Sequence, residues 1–264
     1  MKVNFLSCTN KPRSTFRGCS REYMDNTLKF RNDTGGRIST YTCAFRPDID
    51  WKDLIKTAEK EFKDFNKINL YSLACSDGSE AYSLLISINE NSENPKKYFP
   101  VIAVDKDEKI IDFAKKHRIN FTRDELARII ANSKSHKDYF THKGNAVSID
   151  GEAFTDIYEN SKNIPCKNSY KPTKKLRKNV RFKQEDIIET LNKIKDKGNS
   201  IILCRNVFPY LPPEDHLKIY ELITEKLKSG SLFIVGQYDF KTLFYQKMEK
   251  NGFKQLGKFI FKKI

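Results

Sequence analysis

Three stretches of the chain place polar or charged side chains directly after an apolar run. The first is Cys75-Ser76-Asp77-Gly78-Ser79-Glu80, which leads straight into Ala81, Leu84, Leu85 and Ile88 at i, i+3, i+4 and i+7. A glycine-bearing turn between a strand and a helix lets a ligand approach backbone N–H groups and the positive end of the helix. Gly78 is the turn's only glycine, so the G-x-G-x-x-G dinucleotide fingerprint is not met, and taken alone the turn is equally an ordinary loop. The second stretch is Val101-Ile102-Ala103-Val104-Asp105, whose acid falls about 25 positions after the turn, the place from which a carboxylate accepts hydrogen bonds from ribose hydroxyls. Asp105 could instead cap the helix carrying Ile110, Ile111 and Ala114, although Asp107 is available for that role. The third runs Cys204-Arg205-Asn206-Val207-Phe208-Pro209-Tyr210, where polar residues follow a buried strand at the usual ligand crevice. The alternative there is a turn begun by Asn206, with Tyr210 packed on the core.

The elements that would position these residues are legible in the hydrophobic periods. Apolar runs at 70–74, 100–104, 200–204 and 231–236 are each five or six residues long and do not alternate, as expected for strands buried on both faces of a parallel sheet. Helical stripes lie between and before them: Trp51, Leu54, Ile55 and Ala58, continued by Phe62 and Phe65, and the Ala81–Ile88 set. Thr122 with Glu125 predicts a capping box ahead of Leu126, Ile129 and Ile130. Pro212-Pro213 opens a helix bearing Leu217, Tyr220, Ile223 and Leu227, with Gly230 as its expected stop. Strand and helix in alternation is the pattern of a doubly wound α/β fold. After a helix near 241–249, the tail reads as a hairpin-like strand pair closing the sheet.

Residues 1–45 and 132–179 do not fit this core, being polar and without a sustained stripe. The second stretch is longer than the ~12–15 residues usual for a loop in a compact domain, so an inserted subdomain or lid is expected there. The domain reading is a short N-terminal region, 1–50, followed by the main domain, 51–264.

Composition bounds the function classes. Phe and Tyr together number 31 in 264 residues, too many for a disordered chain. No apolar run approaches the ~18–20 residues that cross a bilayer, and the N-terminus has no apolar secretory core, so a cytoplasmic protein without membrane insertion is expected. Six cysteines (8, 19, 43, 75, 166 and 204) form no C-x-x-C pair, so neither a zinc site nor a disulfide framework is predicted and no metal is expected. The formal charge of +15 suits an acidic partner, nucleic acid or simple solubility. Within 171–183, seven basic residues meet no acidic one. The stretch is either a solvated loop or a docking surface for an acidic protein. Nucleic acid is less well supported, because only Tyr170 and Phe182 lie nearby to stack on bases.

Taken together, the motifs resemble those of the chemotaxis receptor methyltransferase family (CheR). Ala74-Cys75-Ser76-Asp77-Gly78-Ser79-Glu80-Ala81-Tyr82-Ser83 is similar to its Ala-x-Ser-x-Gly-Glu-Glu-Pro-Tyr-Ser, and Ala103-Val104-Asp105-Lys106-Asp107 to its Ala-Thr-Asp-Ile-Asp. Cys204-Arg205-Asn206-Val207-Phe208-Pro209-Tyr210 resembles Cys-Arg-Asn-Val-x-x-Tyr, and 227–236 echoes Leu-x-Pro-Gly-Gly-x-Leu-x-x-Gly. Two departures stand out: Gly236-Gln237-Tyr238-Asp239 replaces Gly-His-Ser-Glu, and only 44 residues precede Phe45-Arg46, where the family carries a helical domain.

The resemblance implies a class I S-adenosylmethionine-dependent methyltransferase, doubly wound, with a mostly parallel sheet and an antiparallel C-terminal strand. It implies S-adenosylmethionine as cofactor, S-adenosylhomocysteine as product, and a glutamate carboxylate of a protein, such as a chemoreceptor's cytoplasmic helix, as acceptor. By position, Ala74, Cys75, Ser76, Gly78 and Glu80 would hold the methionine part of the cofactor, and Asp105 the ribose. Asp186 and Ile187 would flank the adenine, and Asn206 and Val207 would line the pocket beside the sulfonium. Arg46 would reach into the active site, and Tyr210 would stand near the transferred methyl.

Overall fold

The structure, a computed structural model, describes residues 42–145, 168–194, 199–250 and 252–264, all of them within one compact unit, Thr40–Ile264. The expectations for residues 1–41, and for Cys8, Cys19 and Cys166, lie outside the described residues.

Helix α1 (Trp51–Glu61) leads into strand β1 (Asn69–Leu73), the glycine turn and α2 (Ser79–Asn91). Then come β2 (Val101–Asp105) and α3 (Glu108–Lys115). After an excursion described below, β6 (Val180–Gln184) and α6 (Ile187–Lys193) return the chain to β7 (Ser200–Cys204). Helix α7 (Pro213–Lys226), β8 (Leu232–Ile234), α8 (Leu243–Lys250) and the hairpin β9 (Phe253–Gly257) and β10 (Ile260–Lys263) complete it.

These strands form one seven-stranded sheet in the order β6-β2-β1-β7-β8-β10-β9. The first five are mutually parallel, while β10 runs antiparallel to both β8 and β9. This is the doubly wound order of class I S-adenosylmethionine-dependent methyltransferases. From β1 the chain winds outward through β2 to β6 and then crosses back to β7 on the other side of β1. The two winding directions part between β1 and β7, whose ends meet at Leu73 and Cys204. Ligand crevices of open α/β sheets lie at such a switch point, beyond the carboxyl ends of the strands.

The core explains why the elements form where they do. Every residue of β7 and β8 is buried, and the α1 stripe of Trp51, Leu54, Ile55 and Ala58 is buried as its spacing predicts. Burying each such aliphatic side chain stabilises the fold by about 1.5–3 kcal/mol. Caps fix the helix starts: Asp107 accepts from Lys109 and Ile110 N–H, and Thr122 and Glu125 form the reciprocal capping box of α4 (Arg123–Ala131). Gly230 differs from expectation. Helix α7 ends at Lys226, and Gly230, at φ +93°, instead donates its N–H to Lys263 and turns the chain into β8.

Two findings were not legible in the apolar runs. Strand β6, Val-Arg-Phe-Lys-Gln, is the parallel edge strand next to β2; one side of it faces solvent, so its sequence carries no apolar run. The basic stretch 171–183 is therefore not a loop: it comprises the end of β5 (Asn168–Pro172), a short helix α5 (Lys174–Arg177) and nearly all of β6. Strand β5 lies between β3 (Ile119–Phe121) and β4 (Phe140–Asn145) in a second, antiparallel sheet. Phe121, Phe140 and Tyr170 pack ring to ring in this sheet, and Phe140 also packs against Tyr82 of α2.

Candidate functional site

At the tip of β1 the backbone is strained. Ala74 (φ +55°) and Ser76 (φ +51°) occupy the left-handed region without being glycine, a conformation costing of order 1–3 kcal/mol and found where function over-determines the backbone. Gly78 follows at φ +89°, and a Cβ there would lie 2.7 Å from the Phe182 ring. The turn is tied to its neighbours: Cys75 N–H donates to the Val104 carbonyl (2.8 Å), and Ser76 N–H donates to Asp105 Oδ2 (2.9 Å). Asp107 N–H donates to the other oxygen, Asp105 Oδ1, at 3.1 Å. Asp105 thus stands half-buried at the strand tip with one N–H on each oxygen, and each oxygen retains a lone pair for a further donor. Burial raises its pKa, while the two N–H bonds lower it.

Beside this turn lies a buried charge cluster. The Arg205 guanidinium, 1% exposed, donates through Nη1 to Glu80 Oε2 (2.9 Å) and through Nη2 to Asp48 Oδ1. Its Cζ lies over the Trp51 ring, 5.0 Å from the ring centroid. Ser72 Oγ donates to the second Glu80 oxygen (2.9 Å). Burial pushes the Glu80 carboxyl up, and the Arg205 charge pulls it back. Two buried polar atoms at this crest, Arg205 Nε and Ser79 Oγ, have no hydrogen-bond partner among the described residues.

The far side is built from the loops after β7 and β8. Asn206, at φ +59°, donates through Nδ2 to Asp48 Oδ2 (3.4 Å) and accepts the Tyr238 N–H on Oδ1 (3.0 Å). Asp48 Oδ2 also accepts the Gln237 N–H (3.0 Å). Gly236 faces the Asn206 amide so closely that any Cβ would clash with it. Asp239, fully buried, accepts N–H groups from Asn206, Phe208 and Gly236.

The site residues anticipated from the sequence are brought to one end of the sheet in two groups and some outliers. Ala74, Cys75, Ser76 and Gly78 form the turn, which Ser76 joins directly to Asp105. Glu80 and Asn206 are joined through Arg205 and Asp48. Asp186 caps α6 by accepting the Ile188 N–H (2.7 Å), and Ile187 is buried beside it; the preceding Glu185 N–H donates to the Asp105 carbonyl (3.0 Å). Arg46 is half-buried and its charge acts on Glu80, while its carbonyl accepts the Trp51 indole N–H. Val207 and Tyr210, both half-buried, belong to the turn after β7, where Tyr210 N–H donates to the Val207 carbonyl. Sequence reasoning missed Asp48 and Asp239 as members of the site, and it noted Arg205 only as a polar residue after a strand. The one local signal was three charged residues in otherwise apolar or turn surroundings; their partners lie 157, 125 and 33 positions away.

Against known proteins, the sequence matches the CheR methyltransferase SAM-binding domain over residues 41–164 and 155–254. The chain belongs to the CheR methyltransferase family. Two curated relatives, both chemotaxis protein methyltransferases, come from Listeria monocytogenes (25% identical) and Listeria innocua (24%). Each match covers 64% of this chain and 53% of the relative, so the chain spans about half the length of the curated relatives it matches. Among solved structures, an S-adenosylmethionine-dependent methyltransferase from Clostridium acetobutylicum matches at 14% identity over 81% of this chain and 56% of that one, with a TM-score of 0.35. The magnesium protoporphyrin IX methyltransferase of Synechocystis matches at 11% over 90% and 93%, with a TM-score of 0.36. At these scores the assignment of the fold stands on strand order and family membership.

The cofactor of this CheR domain is S-adenosylmethionine, and the residues present fit it. Asp105 keeps a lone pair on each oxygen for a pair of ribose hydroxyls, and the crest holds two orphaned polar atoms. Among the described residues no helix is long and apolar enough to cross a membrane, and no cluster of His, Cys, Asp and Glu has metal-site geometry.

Proposed function

We propose that this chain is an S-adenosylmethionine-dependent methyltransferase whose acceptor is a protein glutamate carboxylate. The observation that carries the reading is the CheR match across the turn, Asp105 and the loop after β7, all of which meet at the switch point of the sheet. When bound, S-adenosylmethionine supplies an electrophilic methyl group on its sulfonium. Asp105 would hold the ribose, residues 74–80 the methionine part, Asp186 and Ile187 the adenine, and Asn206 and Val207 the wall beside the sulfonium.

The chemistry asks little acid–base work of the protein. A glutamate is already ionised at neutral pH, so no general base is needed. The bound cofactor would supply the methyl to a carboxylate oxygen and take the C–S electron pair onto its sulfur, leaving the protein the work of alignment. Holding the acceptor in line at ~3–3.5 Å supplies about 7–11 kcal/mol of barrier reduction. Arg46 is the residue for gripping a carboxylate, because its planar fork binds one bidentately, and Tyr210 would border the path of the methyl. Exposed Lys171, Lys174, Lys175, Lys178, Arg181 and Lys183 offer a cationic margin that suits an acidic partner such as a chemoreceptor helix.

The test is transfer of methyl-labelled cofactor to a glutamate-rich chemoreceptor cytoplasmic fragment, followed by alkaline treatment. Release of labelled methanol marks a carboxyl ester. Alkali-stable label would move the acceptor to nucleic acid or another nucleophile, and binding without transfer to any acceptor would make the domain a cofactor-binding module.

A further inference from the structure

Asp239 takes no part in the chemistry proposed above, yet its carboxyl group accepts three backbone N–H groups. It is fully buried and ends the turn after β8, while two of its three backbone donors belong to a different segment. Oδ2 accepts the N–H of Asn206 (2.6 Å) and of Gly236 (2.6 Å); Oδ1 accepts the N–H of Phe208 (3.1 Å). Its own carbonyl accepts the Thr242 hydroxyl (2.6 Å), which anchors the turn to the start of α8. Asn206 and Val207 form the wall assigned to the reactive end of the pocket, and Asn206 sits in the left-handed region, which asparagine tolerates better than most residues.

We propose that Asp239 is a positioning residue whose carboxyl group clamps the loop after β7 to the turn after β8. The inference rests on the reading of this crevice as the cofactor pocket and adds what holds its wall in place. The three N–H groups take three of the carboxyl group's four acceptor positions, two on Oδ2 and one on Oδ1, so the fourth, on Oδ1, can carry a proton without displacing a donor. The groups facing Asp239 are Arg205 and Cys204 from β7 and the loop after it, with Asp48 beyond Asn206. From α7, His216 lies on the other side of Phe208, bonded to its carbonyl. Burial pushes the Asp239 carboxyl up to about 7, against the opposing pull of the three N–H groups and Arg205. The closed clamp therefore keeps its proton below about pH 7 and is loosened by ionisation as pH rises through that value.

The experiment reads the clamp in two ways. Backbone amide exchange over 204–211 and 235–240, corrected for intrinsic rates, is followed in the ligand-free protein between pH 6 and 8. Calorimetry with S-adenosylhomocysteine is run over the same range. In the wild type, protection of these amides falls about tenfold from pH 6 to 8 and the apparent Kd weakens in the same direction, as expected when the closed state holds a proton with a pKa near 7 that the open state has lost. Asp239→Asn loses both dependences and binds more weakly at pH 6, because the amide offers one oxygen and turns N–H toward a donor. Asp239→Glu restores a carboxyl group and with it part of the protection and of its pH dependence. A folded Asp239→Asn with the wild-type Kd and pH profile overturns the proposal. If that variant does not fold, a wild type flat in both readouts from pH 6 to 8 overturns it as well. A wild type with pH-dependent protection but no binding at any pH sinks the cofactor reading while leaving the clamp intact.

Discussion

Removing Arg205 should be among the most damaging single changes in the protein. The side chain is 1% exposed and is the bond between Asp48 and Glu80, themselves only 3% and 13% exposed. Arg205→Met keeps much of the volume and the contact with Trp51 but leaves two buried carboxylates uncompensated. Breaking a buried ion pair from one side costs about 3–5 kcal/mol. For a chain of this size each kcal/mol shifts Tm by about 2–4 °C, so the expected fall is about 6–20 °C. Arg205→Lys should lie between the two, since an ammonium cannot reach both carboxylates as the planar fork does. The informative control is Arg205→Met with Glu80→Gln. The glutamine still accepts from Ser72 but carries no charge, so the pair should be less damaging than the sum of the single changes, with a coupling of about 1–3 kcal/mol. Thermal and denaturant unfolding of the four proteins measure it. If Arg205→Met costs under 1 kcal/mol, or the two changes are additive, the cluster is not a mutually dependent unit and the reasoning is wrong.

Other expectations follow from single observations. Gly236→Ala would push a Cβ into the Asn206 amide, so cofactor affinity should fall at least tenfold with a smaller loss of stability; calorimetry and melting separate the two. Thr122→Ala removes one half of the capping box of α4 and should cost about 1 kcal/mol in denaturant unfolding with cofactor affinity unchanged. Stability should decline as pH rises from about 4 to about 7. In that window the native state keeps a proton on Asp239 that the unfolded chain, with an ordinary aspartate near 3.9, has already lost; the contribution is full below pH 4 and gone above 7. Raised carboxyls at Glu80 and Asp105 act in the same direction, and Asp239→Asn should flatten the curve.

Much of the fold could be read because the physics that makes it is local. Strands β1, β2, β7 and β8 are buried on both faces and so wrote continuous apolar runs, and α1 has one buried face and so wrote a stripe. The strand β6 could not be read this way, because an edge strand with Arg181 and Lys183 in solvent looks like a basic loop. The same division runs through the site. The turn at 75–80 and Asp105 announce themselves by lying at strand tips. Asp48, Arg205 and Asp239 are charges whose meaning is fixed only by partners across the sheet, and a buried charge without its partner in view reads as an exposed one. Asp105 and Asp107 show the intermediate case: both were candidates for the cap of α3, and the structure gives the cap to Asp107 while Asp105 accepts from Ser76 and from Asp107 itself.

The most direct test of the central claim is calorimetric titration of S-adenosylhomocysteine into the wild type and Asp105→Ala. Micromolar binding, roughly −8 kcal/mol, is expected for the wild type. The substitution should weaken it at least about a hundredfold, since two ribose hydroxyls lose a charged acceptor that contributes about 1.5–3 kcal/mol per bond. Equal affinities for the two proteins, or a wild type with neither heat nor competition against labelled cofactor, would contradict the placement of the cofactor at this crest.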